Sequence, residues 1–126
     1  HLITLGTDHP SWGEFLSPFS AHRELLSLVR SGIPPATVLK IATINGARAM
    51  HVGDFLGTIE AGKIADLVIV RGDPLADIRN VRNVRWVMKA GRLYDPTELM
   101  RSVEGTIGPR GPDDESDWRP LARSPG

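Results

Sequence analysis

An α/β fold with an unfinished β/α part is what this sequence predicts, and three observations carry the prediction. One short apolar strand opens the chain; two helices with apolar faces follow it; then the grammar changes to β-branched segments punctuated by glycine. A parallel strand needs parallel neighbours, and no later segment offers them to the first strand. Either another chain supplies those neighbours or this is the C-terminal part of a longer protein, and the second is the expectation.

The elements follow in order. Leu2-Ile3-Thr4-Leu5 reads as a buried strand stopped by Gly6, and Thr7 to Phe19, with Pro10, Ser11, Gly13, Ser17 and Pro18, as a loop. Ser20 is a candidate N-cap for a helix over 21–30, with Leu25, Leu26 and Val29 as its stripe and Gly32 as its stop. Pro34-Pro35 restarts a helix, since proline suits the first turn. On it Leu39, Ala42, Gly46 and Ala49 form a small-residue face suited to close packing. Asp66 to Val70 predicts a strand ended by Gly72-Asp73-Pro74. "VRWVMKAGRLYD" predicts a hairpin turning at Ala90-Gly91, with Val84, Trp86 and Met88 on one face and Arg85 and Val87 on the other. From about Ser102 the chain loses periodicity, and "GPRGPDDESDWRP" predicts an extended or mobile tail that could reach a neighbouring subunit. The expected division is 1–51, the β/α segment with its helices; 52–101, the strands; and 102–126, the tail.

Composition narrows the function classes. Fifteen basic residues balance fifteen acidic ones, so charge offers nothing to nucleic acid or to an anionic membrane. Without cysteine there is no disulfide framework, thiolate ligand or thiol nucleophile. No apolar run approaches the roughly 20 residues that span a bilayer, and the expectation is a soluble, cytoplasmic protein.

"LGTD" at a strand end, then "ATINGARAM", "LGTIEAGKIADLVIV", "GDPLADI" and "VMKAGRLY", together resemble the C-terminal part of amidohydrolase-superfamily metal-dependent hydrolases, in particular the imidazolonepropionase-like and prolidase-like group. The resemblance runs over about residues 2–95, and Gly57 to Val70 is its most specific piece. It implies the last β/α segment of a TIM-like (β/α)8 barrel followed by the C-terminal strands of a small β-sandwich. It also implies that the other metal ligands, including a His-x-His pair, belong to an N-terminal barrel portion absent from this sequence.

Asp8 carries the chemistry in that resemblance. The family's motif puts its last-strand aspartate there, at the strand end where barrel enzymes hold catalytic groups, as metal ligand and as general base and acid. The chemistry needs such a group: a divalent metal, zinc as one or two ions, acidifies water and polarises a carbonyl. Something must then move the proton to the departing amine. By its own local sequence Asp8 could equally cap a turn. His9, Trp12 and Phe15, beside Glu14 on the loop overhanging the barrel mouth, are substrate-pocket candidates; the other readings are an ordinary loop histidine and aromatics packing the loop down. His22 and His51 read as surface residues, and His1, at the far end of the strand from Asp8, as a poor ligand. Asp66 and Asp73 sit where aspartate commonly shapes turns and read as structural. Arg48, Lys63, Arg71 and Arg85 read as solvated or snorkelling charges. With no His-x-His or His-x-x-x-His spacing, this chain is not expected to hold a metal alone.

The function expected is hydrolysis of an amide or cyclic-amide C–N bond in a small molecule by metal-activated water, in the complete protein only. The alternative is a non-catalytic α/β–sandwich module that binds a partner or serves as a structural subunit.

Overall fold

The computed structural model describes residues 2–7 and 19–103. Helix α1 (Phe19–Arg30) starts one residue before Ser20, so the serine lies in its first turn rather than capping it. The helix ends as expected: Gly32 takes φ 92°, its N–H donates to Val29 O (2.9 Å), and the Ile33 N–H donates to Leu28 O (3.2 Å). This is the Schellman arrangement, which satisfies carbonyls the helix would otherwise leave open.

Pro35 opens the second helical stretch at its first position. It runs as α2 (Pro35–Lys40), a π-helical turn (Ile41–Asn45) and α3 (Gly46–Ala49). In the π turn the Thr43 hydroxyl donates to Leu39 O at 2.7 Å, the bond its own N–H would make in an α register. The buried stripe is Val38, Ile41, Ile44 and Ala47. The expected face of Leu39, Ala42, Gly46 and Ala49 holds only in its first half: Leu39 and Ala42 pack against the core, whereas Ala49 is exposed and a Cβ at Gly46 would meet nothing within 4 Å. The larger β-branched side chains take the interior because they remove more apolar area from water.

Leu25, Val38 and Ile78 form the core, joining α1, α2 and a 3-10 turn (Ile78–Arg82), with Leu5, Leu26, Leu28, Val29, Ile33, Leu39, Ala42 and Val81 packed around them. Asp77 caps the 3-10 turn, its carboxylate accepting from the Arg79 N–H at 3.0 Å.

The loop after α3 lies against the helix through Gly57. Its φ is 95°, and a Cβ there would sit 2.7 Å from the Ile44 Cα. Only glycine supplies both the left-handed backbone and the room. Lys63, read from sequence as a solvated or snorkelling charge, is not solvated: only 13% of its side chain is exposed, and it ties this loop together. Its Nζ donates to Gly53 O (2.8 Å) and Thr58 Oγ1 (2.5 Å), replacing the water it gives up.

Strands β1 (Leu67–Val70), β2 (Val84–Lys89) and β3 (Arg92–Tyr94) form an antiparallel sheet in the order β1-β2-β3. Ile69 faces Trp86 while Val70 faces Val84, so Arg85 is the extra residue of a bulge. The hairpin turns where expected, with φ positive at both Ala90 (49°) and Gly91 (80°), as a type I′ turn requires. Asp66 holds that turn: it accepts from the Ala90 N–H at 2.7 Å and pairs with Lys89. Those two bonds, the backbone one first, draw its carboxyl below the usual carboxylate range. Asp73 likewise accepts from the Leu75 N–H at 2.8 Å, so both aspartates are turn-formers as expected.

Two further findings differ from expectation. Helix α4 (Pro96–Val103) follows the hairpin, capped by Asp95, whose carboxylate accepts from the Thr97 N–H at 2.8 Å. The segment 2–7 is not a strand among the described residues. A strand is defined by its ladder, and no described segment offers Leu2–Leu5 one; Leu2 and Ile3 are more than half exposed.

Candidate functional site

Segment 2–7 is held against the helices by side chains. Leu5 packs on the core cluster. Asn45, at the end of the π turn, donates through Nδ2 to Ile3 O at 2.9 Å. Glu24 on α1 accepts from the Gly6 N–H at 3.3 Å. The last described residue of the segment is Thr7, immediately before Asp8. Beside that point Gly6, Thr7, Ser20, Arg23, Glu24 and Ser27 line an open recess of about 290 Å³. Hydroxyls, a guanidinium and a carboxylate give it hydrogen-bonding groups of both kinds.

Asp8, His9, Trp12 and Phe15 lie outside the described residues, as do His1 and the tail from 104. Among the described residues no group of three or more His, Cys, Asp or Glu could hold a metal ion. The described part alone therefore does not fit the metal centre. Of the histidines, His51 is exposed as expected and takes φ 58° at the end of α3. His22 departs from expectation. It is half-buried, its Nδ1 has no hydrogen-bond partner, and burial, followed by the Arg82 charge, pulls its pKa down from the ordinary histidine value.

Sequence reasoning missed Glu24; Asn45, which with Gly46 resembles a family helix motif that packs the helix against the barrel, was legible as a packing residue but its partner was not. Their contacts span 18 and 42 positions, and no local pattern encodes such pairings.

A sequence profile described as the amidohydrolase family matches residues 2–94. The chain belongs to the amidohydrolase family. It is similar to the 5-methylthioadenosine/S-adenosylhomocysteine deaminase of Thermoanaerobacter pseudethanolicus, at 36% identity over 74 residues, covering 54% of this chain and 17% of that one. The imidazolonepropionase of Geobacillus sp. (strain WCH70) is 37% identical over 84 residues, covering 54% and 18%. Among solved structures, a Xaa-Pro dipeptidase with methionine bound in its active site superposes with a TM-score of 0.57 at 39% identity, covering 59% of this chain and 18% of that one. The resemblance read from "LGTD" through "VMKAGRLY" is thus borne out, and the chain spans less than a fifth of each of these three relatives. No helix among its described residues is long and apolar enough to cross a membrane.

Proposed function

We propose that this chain is the closing part of a metal-dependent hydrolase that cleaves an amide or cyclic-amide C–N bond in a small molecule. In this reading residues 1–51 complete a (β/α)8 barrel, 52–101 contribute strands to a small β-sandwich, and 102–126 form a tail. The N-terminal barrel portion supplies the remaining ligands. The observation that carries the reading is the family match across residues 2–94, a span that includes Asp8.

The described surface supports a larger assembly. Leu2, Ile3, Phe55, Ile59, Val68 and Ile69 are all exposed, more apolar surface than so small a core explains. A zinc ion, once bound, lowers the pKa of water and polarises a carbonyl. Asp8 would be one of its ligands and would take the water's proton and return it to the departing nitrogen. His9, Trp12 and Phe15 would line the substrate pocket. The similarity to a deaminase favours a second reading, in which the bond cleaved joins carbon to an exocyclic amino group.

The test uses the complete protein, stripped of metal and then reloaded with zinc, against amides, cyclic amides and aminopurines. Nitrogen release that disappears on stripping and returns with zinc is expected. Turnover that persists in the metal-free protein would refute the metal-dependent reading, and failure on every C–N substrate would favour a non-catalytic module.

A further inference from the structure

Helix α1 carries a titratable side chain on its inward face. Leu25, Leu26 and Val29 pack in the core, and His22 stands one turn earlier on the same stripe. Against this stripe lies the 3-10 turn, which brings Ile78 into the core and Val81 beside it. Arg82, the next residue of that turn, is the charged group that acts on the imidazole among the described residues. The imidazole's Nδ1 is buried and has no hydrogen-bond partner. The described carboxylates nearby on these elements are already engaged. Asp77, which caps the turn, takes the Arg79 Nε–H with both oxygens, at 2.9 and 3.0 Å, and Glu24 on α1 accepts from the Gly6 N–H. Arg23 on α1 and Lys40 at the end of α2 are cations, and segment 2–7 brings no charged side chain.

We propose that His22 and Arg82 form a proton-operated latch between α1 and the 3-10 turn, closed while the imidazole is neutral and released when it is protonated. A neutral imidazole with its proton on Nε2 leaves only a lone pair at Nδ1, whereas the imidazolium places there an N–H that must donate. The closed interface offers that N–H no acceptor and sets a second cation beside the guanidinium. The charged form is therefore better solvated once the interface opens. Burial first, and the Arg82 charge second, already draw the pKa down in the closed form. Because Glu24 on the same helix accepts from the Gly6 N–H, release of α1 also loosens its hold on segment 2–7.

The experiment follows amide hydrogen exchange in the complete protein from about pH 7.5 to about pH 5, each rate being divided by that of an unstructured peptide at the same pH. An opening that frees one such histidine weakens protection by up to about tenfold per pH unit below about 6.5. That loss is expected in peptides covering 19–30 and 78–82 and not in the sheet peptide 84–89. His22→Gln takes up no proton and should abolish the loss. Arg82→Gln should reduce it, because the repulsion goes while the missing acceptor stays. A wild-type profile no steeper than that of His22→Gln, an Arg82→Gln profile as steep as wild type, or a loss shared equally by 84–89 would each overturn the latch. If a variant fails to fold, the NMR titration of His22 in the unaltered protein decides. A midpoint below about 6.5 supports the latch, and one at or above that value overturns it.

Discussion

Replacing Gly57 by alanine tests how the loop and helix are joined. At φ 95° a side chain is disfavoured by about 1–2 kcal/mol, the cost of a left-handed backbone. The added methyl would also lie 2.7 Å from the Ile44 Cα and 3.0 Å from the Ala47 Cβ. The nearest obstacle is backbone, so it cannot rotate away, and overpacking of this kind costs about 1–3 kcal/mol more. Gly57→Ala should therefore destabilise the chain by roughly 2–5 kcal/mol. Gly62 is the matched control, because its φ is 90° but a Cβ there would meet nothing within 4 Å. Gly62→Ala should cost only the backbone part, about 1–2 kcal/mol. Urea denaturation followed by circular dichroism gives both values. If Gly57→Ala is no more costly than Gly62→Ala, the close approach of loop and helix is wrong.

Other substitutions probe the remaining contacts. His51→Gly should raise stability by about 1 kcal/mol, because His51 sits at φ 58° where a helix end prefers glycine; an unchanged urea midpoint would contradict that backbone geometry. Lys63→Met keeps the aliphatic stem but leaves Gly53 O and Thr58 Oγ1 without their donor. It should cost about 1–3 kcal/mol, and a neutral result would mean the loop does not depend on the ammonium. His22, with its pKa drawn below the free value near 6.5, takes up a proton more readily in the unfolded chain. Its stabilising contribution is complete above that value and declines as pH falls through it toward the depressed folded pKa. His22→Phe should flatten this stretch of the stability–pH curve, and an undiminished slope in the variant would place its origin elsewhere.

Much of the local structure was legible because it is written in single residues. Gly32 ends α1, Pro35 opens α2, and Ala90-Gly91 turns the hairpin, each for a reason that acts within a few positions. Helix α4 was equally available: Asp95, Pro96 and Glu98 are a cap, a first-position proline and an acidic first turn. The π turn was not available, since a one-residue change of register leaves no mark on composition. It falls within the same stretch where the buried positions Ile44 and Ala47 depart from the Gly46 and Ala49 read off the small residues. Segment 2–7 looks like a strand by hydrophobicity, but strand identity is conferred by neighbours, which the described residues do not supply. Lys63 shows the same limit for charges. Whether a lysine is solvated or tied into a loop depends on which carbonyls the fold brings within reach.

The most direct test of the central claim is a crystal structure of the complete protein, with anomalous scattering recorded at the zinc edge. If Asp8 is a metal ligand, an anomalous peak should lie about 2.0–2.2 Å from its carboxylate oxygen, with histidines of the preceding barrel portion completing the coordination. A well-ordered Asp8 turned away from any cavity, with no cation against it, would mean that it is not a metal ligand.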